Sequence, residues 1–154
     1  MRCLMVIGLM LSVHLLFAND IDVVRKQFHE IKDEETLKAF LKMASAIEDN
    51  KVIPYKEAAA MRQAEFTANL FKKLKFFNAG KEQLETYIKS NPFDIEARYI
   101  RALIQHDVPA ILNYNEHFET DVKYVLDNID ASELSNDYKR LMKETLTNLK
   151  NAPL

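Results

Sequence analysis

The chain has 154 residues, 48% of them hydrophobic, with 21 basic against 23 acidic side chains, two Gly, one Cys and no Trp. That length predicts one domain with a real core, and the apolar fraction excludes a disordered chain. A formal net charge of −2 gives no electrostatic case for nucleic acid, whose binding requires a basic surface to displace counterions.

Met1 and Arg2 form a short basic start. Cys3 to Phe17 is almost wholly apolar, interrupted by Gly8, Ser12 and His14, and Ala18 precedes polar Asn19 and Asp20. A basic start, an apolar run and a small residue are the order of a secretory signal peptide. Residues 1–18 are therefore expected to be removed after Ala18, leaving 19–154 as a single all-helical domain in the periplasm or outside the cell. The apolar run falls short of the roughly 20 residues that span a bilayer as a helix, and no transmembrane segment is expected after cleavage. The mature chain would have 154 − 18 = 136 residues, with Arg2, Cys3 and Gly8 gone and Gly80 its one glycine. Without cysteine there is no disulfide, thiolate zinc site, iron–sulfur cluster or cysteine nucleophile. One glycine excludes the Walker loop, the dinucleotide fingerprint and the nucleophile elbow, and it disfavours tight hairpins.

Helical periodicity runs through the rest. Ile21, Val24, Phe28 and Ile31 share one face of a first helix. Leu37, Phe40, Leu41, Ala44 and Ile47 mark a second, with Asp33, Glu34 and Glu35 suited to its N-terminal dipole. A third and longest helix is expected from Pro54 to Phe77, thin and alanine-rich at first, then bulky with Phe66, Leu70, Phe71, Leu74 and Phe77. Asn78-Ala79-Gly80 reads as its stop, with Gly80 as a left-handed C-cap. Lys81 to Ser90 is a short fourth helix, ended by Asn91-Pro92. Asp94 caps a fifth, from Ile95 to about His106. Pro109 opens one turn, Asn113 tolerates the left-handed region, and Asn115 is the expected cap of a sixth helix with Phe118, Val122, Val125 and Ile129 inward. Asp130 and Glu133 have capping-box spacing before a last helix that buries Leu134, Tyr138, Met142, Leu146 and Leu149.

The stretch Glu82-Gln83-Leu84 through Asn91-Pro92 to Ala97-Arg98-Tyr99 resembles the joint between tetratricopeptide repeats, with no second copy at a fixed period. A wider pattern covers most of the mature chain: Pro54-Tyr55, Ala59, Met61, Gly80, Glu96-x-Arg98-Tyr99-x-Arg101, Gln105, Pro109, Leu112, Tyr114 and Asp121. It resembles an uncharacterised family of small exported helical proteins of Bacteroidota-type bacteria, whose glycine before the tyrosine is Asn113 here. The resemblance implies the envelope of a Gram-negative cell and a helical fold. It implies no activity.

Candidate chemistry is sparse. Asp94, Arg98, Arg101 and Gln105 fall on one face of the fifth helix. Asp94 and Arg98 are spaced to pair. Arg101 has no acidic residue one turn away, so it must find a partner elsewhere, with Asp121 or Asp127 on the sixth helix plausible, face water, or hold an external anion or partner. Arg98, Arg101 and Gln105 are thus the candidate anion or partner contact. His117 and Asp121 have a metal-capable spacing, but two ligands do not make a site, and no metal, cofactor or catalytic set is assigned. Lys72-Lys73-Leu74-Lys75-Phe76-Phe77 mixes basic and aromatic side chains. It reads as a core helix whose lysines reach around its buried face, or else as a contact for a membrane surface or anionic partner.

The sequence thus reads as an all-α fold of six to seven helices, stacked as antiparallel hairpins in a tetratricopeptide-like or irregular bundle. The expected role is a non-catalytic protein-interaction or structural component of the bacterial envelope, with another envelope protein as partner and the Arg98/Arg101 face as contact. Two alternatives stay open: a carrier of a small apolar or anionic ligand between helices, and an enzyme with an unrecognised site.

Overall fold

A computed structural model describes residues 20–151; the expected signal segment, residues 1–18, lies outside them. Among the described residues there are seven α-helices and no strand. They divide into two compact units, with the boundary between Ala79 and Gly80.

The first unit opens with α1 (residues 20–29). Its stripe Ile21, Val24, Phe28 and Ile31 is buried, because these positions recur on one face of a 3.6-residue period. Asp33 then starts α2 (Glu34–Ala44) through a reciprocal cap with Thr36: the Thr36 amide donates to the Asp33 carboxylate at 2.8 Å, and the Thr36 hydroxyl accepts from the Asp33 amide at 3.1 Å. These bonds, from backbone and hydroxyl, hold the Asp33 carboxyl below its ordinary pKa. A 3-10 turn at Asn50–Val52, capped by Asp49, leads into α3 (Ile53–Arg62) with Pro54 in its first turn, where a missing N–H costs nothing. Phe28 lies edge-on to both Phe40 and Tyr55, at centroid distances of 5.8 and 5.4 Å. Ala58 and Ala59 are fully buried beside Tyr55 in sequence, in keeping with a thin face that admits close packing, and α2 packs on α3.

The long third helix expected from Pro54 to Phe77 is not formed. After α3 the chain makes a 3-10 turn, Gln63–Phe66, and Thr67 is extended. The Asn69 side chain then accepts from the Lys72 amide at 3.0 Å and starts α4 (Leu70–Ser90). Local side-chain bonding by Thr and Asn, which offers the backbone an alternative to the helix, is the reason for the break. The expected stop at Asn78–Gly80 is also absent. Gly80 is helical, buried and not at positive φ, so the expected third and fourth helices overlap in the single α4.

The second unit takes α4 from Gly80 onward. Leu84, Tyr87 and Ile88 are buried. Asp94 caps α5 (Ile95–Asp107) by accepting from the Ala97 amide at 3.0 Å, as the sequence implied, and also accepts from the Tyr87 hydroxyl at 2.8 Å. Pro109 precedes a single turn, Ala110–Leu112, and Asn113 adopts the left-handed region at φ 46°. The next helix, α6 (Phe118–Asn128), starts at His117 without a side-chain cap, so Asn115 does not serve as expected. Ser135, rather than the Asp130/Glu133 pair, caps α7 (Asn136–Asn151), accepting from the Tyr138 amide at 3.3 Å. Asp130 instead pairs with Lys143. Helix α5 packs against both α6 and α7, and Tyr99 meets Tyr138 edge-on at 6.4 Å.

Candidate functional site: a buried charge network in the second unit

Two turns of α5 set the geometry. Residues 98, 101 and 105 follow at i, i+3 and i+7, so their side chains project from one stripe. The contact expected at Arg98, Arg101 and Gln105 lies largely inside the unit: Arg101 is 5% exposed, Gln105 1% and their neighbour Asp121 0%. Asp121 reaches this place from the first turn of α6, where its acidic side chain also complements the helix N-terminus.

Asp121, one of the two expected internal partners, receives both arginines. The Arg101 Nε donates to its Oδ2 at 2.6 Å and Nη2 to Oδ1 at 2.9 Å, a two-pronged fit of planar guanidinium to carboxylate. The Arg98 Nη1 donates to the same Oδ1 at 2.9 Å. Arg101 turns its remaining Nη1 to Glu85 of α4 at 2.7 Å. The other Glu85 oxygen accepts from the Tyr114 hydroxyl at 2.5 Å. The sequence spacing of Asp94 and Arg98 is not used. Arg98 donates its Nε to the Pro92 carbonyl at 2.8 Å and lies over the Tyr124 ring at 4.3 Å.

Two arginines and two carboxylates therefore balance in charge. Burial alone would lower the Arg101 pKa, but the bonds and charges of Asp121 and Glu85 outweigh it and hold the guanidinium above its ordinary value. Burial, reinforced by Glu85, pushes the Tyr114 phenol far above its ordinary value. It stays a neutral donor to Glu85, and Lys81 covers its ring at 4.5 Å. Gln105 stands apart: both its amide atoms are buried and make no hydrogen bond among the described residues, a costly arrangement for an amide.

Chemically, this network can orient and brace. Every Arg101 nitrogen is already bonded to a carboxylate, so an external anion would have to displace Asp121 or Glu85. Glu85 and Tyr114 complete it although the sequence reading did not single them out as site residues. The signal for Glu85 was its position beside the Leu84/Ile88 face; Tyr114 had only its place in the family-like pattern. His117 does not join Asp121. It lies 3.5 Å from Glu116, and among the described residues no group of three or more His, Cys, Asp or Glu could hold a metal. No described helix is long and apolar enough to cross a membrane. No protein-family model matches the chain, and neither the curated proteins nor the solved structures contain a significant match to it.

Proposed function

We propose that the protein is an exported, non-catalytic component of the bacterial envelope that acts through its surface, with another envelope protein as partner. The observation that carries this reading is where the polar chemistry goes. In the second unit the residues best suited to bind or catalyse are bonded to one another in the interior, while Phe93 and Ile111 of the same unit face solvent, at 80% and 91% exposure. These two side chains are the most exposed large apolar groups of the unit and are where a partner contact is placed. The basic start, the apolar run to Phe17 and Ala18 support export, and the resemblance to small exported helical proteins agrees with it. The partner contact thus moves from the Arg98/Arg101 face to exposed loops of the same unit.

A photo-reactive residue placed at position 93 or 111 in the native host tests this. We expect a discrete light-dependent protein adduct from at least one of them, on a chain whose mass shows cleavage after Ala18, and none from the exposed control position 123. Absence of any adduct at both, in a chain correctly processed and folded, would overturn the reading.

A further inference from the structure

The first unit carries a different surface. Leu70 and Phe71, in the first turn of α4, are 65% and 83% exposed, and Leu74 and the preceding Phe66 also face solvent. On a helix of 3.6 residues per turn, Phe71, Leu74, Lys75 and Asn78 share one side, and all four are exposed. Phe77 lies about 100° further round the helix, on the side of Leu70, and is buried. Leu70 and Leu74 thus carry the buried stripe of Phe77 out into solvent, and Phe71 extends this exposed apolar ridge beyond it.

Its charge is as distinctive. From Phe66 to Ala79 the chain has Lys72, Lys73 and Lys75 and no acidic residue, in a protein whose acids otherwise outnumber its bases. Some surface lysines have carboxylate partners, Lys38 with Glu34 and Lys123 with Asp127, each at 2.6 Å, while others such as Lys42 and Lys89 have none among the described residues. Lys72, Lys73 and Lys75 make no such pair among the described residues. Aromatic and aliphatic side chains projecting from one helix, flanked by three lysines in a stretch of chain without acids, is the chemistry of a helix that lies in a lipid interface. The apolar tips enter the acyl boundary, and the flexible lysine stems reach the phosphates above it. A shallow groove of about 280 Å³ adjoins the ridge, lined by Leu37, Phe66, Lys72 and Phe76 among others. Leu70, Phe71 and Leu74 do not line it, so the most exposed apolar side chains project outside that concavity.

We propose that this ridge docks the protein peripherally on an anionic phospholipid surface, with Leu70 and Phe71 inserted and Lys72, Lys73 and Lys75 on the lipid phosphates. The proposal rests on the reading of a surface-acting envelope protein and names what one face of the first unit meets there.

The chain contains no tryptophan, which makes a clean probe possible. The processed chain, as isolated from its host, carries Phe71→Trp or, as a control in the other unit, Phe93→Trp. Each is mixed with vesicles of phosphatidylcholine alone or of phosphatidylcholine with phosphatidylglycerol. We expect a blue shift of emission at position 71 on the phosphatidylglycerol vesicles, reversed by high salt, and none at position 93. Lys72→Gln, Lys73→Gln and Lys75→Gln together should weaken vesicle binding about a hundredfold, from roughly fivefold per lysine. Phe71→Ala should weaken it about tenfold. All these positions face solvent or its edge, and helix content by circular dichroism verifies folding. Unchanged emission at position 71 would overturn the proposal. So would binding that survives loss of the three lysines, or a blue shift that needs concentrated protein but no lipid, which would point to a second copy. A photo-adduct to a protein at position 93 or 111 without vesicle binding would defeat the lipid proposal and leave the interaction reading standing.

Discussion

Helix α5 and the first half of α4 are both rich in basic and aromatic residues, and they use them in opposite ways. On α5, Arg98 and Arg101 turn inward and share Asp121, and Tyr99 is buried. On α4, Lys72, Lys73 and Lys75 have no acidic partner among the described residues, and Phe71 stands in solvent. Residue chemistry contributes to the difference. A guanidinium is planar, weakly hydrated and matched to a carboxylate, so it tolerates burial; an ammonium is strongly hydrated and stays near water. The larger cause is the partner. A buried cation is tenable only where another element delivers an acid, and α6 delivers Asp121. The one side is finished internally; the other is left open.

The sharpest way to break this contrast is to remove the delivered acid. Asp121→Ala leaves Arg101 buried with Glu85 alone and takes a partner from Arg98. Breaking one side of a buried ion pair costs about 3–5 kcal/mol, so we expect a loss of that size in urea unfolding, with the slope unchanged. Arg101→Met combined with Asp121→Leu should lose markedly less than the two single changes added together. Glu85 keeps the Tyr114 hydroxyl and is itself partly exposed, so it can take up water. A loss below about 1 kcal/mol for Asp121→Ala would mean that the pair behaves as a surface salt bridge and that the interior of the unit is wetter than its burial implies.

The stripes that bury α1, α6 and α7 were legible in the period, although Leu134 and Leu149, also expected inward, are only half-buried. Val24, Phe28, Val122, Val125, Tyr138, Met142 and Leu146 are all inward where the period places them, because apolar residues at helical spacing have one way to leave water together. The Asp94 cap and the left-handed Asn113 were legible for the same local reason. The break between α3 and α4 was not. No proline or glycine marks it, and the signal was the weaker pair Thr67 and Asn69, whose side chains bond the backbone across the gap. Gly80 misled in the other direction: a glycine is a common helix stop, but its cost of about 1 kcal/mol inside a helix is small beside the burial of Phe77, Leu84 and Ile88 around it. The network itself was half legible. Arg101 lacked a local acid, which announced a distant partner, but the choice between Asp121 and Asp127 depends on how α6 rotates against α5. Glu85 and Tyr114 arrive from elements whose placement no local pattern encodes.

Alkaline titration sharpens the comparison on the interior side. Burial, slightly offset by the Thr145 hydroxyl, pushes the Tyr99 phenol up to about 12. An unfolded tyrosine ionises near 10. Between those values the folded state holds a proton that the unfolded state has released. Stability from this group is therefore full below pH 10 and is lost as the pH rises through 12, by roughly 3 kcal/mol in all. Tyr114 acts in the same direction. Tyr99→Phe removes the titrating group, and we expect the fall in unfolding free energy above pH 10 to become shallower by that share. An unchanged slope would show that Tyr99 ionises as an exposed phenol does.

The smallest expected effect is the most telling about the open side. Phe71 and Phe77 lie on the same helix six residues apart, and a residue's type alone cannot distinguish them. Phe77 is buried in the first unit, and Phe77→Ala should cost about 3–5 kcal/mol through lost transfer energy and a residual cavity. Phe71 is solvated, and Phe71→Ala should change the unfolding free energy by no more than about 0.5 kcal/mol. It exchanges an aromatic ring that rests on nothing for the best helix former, so a slight gain is the favoured sign. A substantial loss would mean that the ring packs against the protein, and the ridge would then be a mispaired part of the core. A stability near zero, found together with weakened vesicle binding by the same variant, would separate folding from function at a single residue. The ring would then stabilise nothing in the free protein and would serve only where the helix meets the lipid.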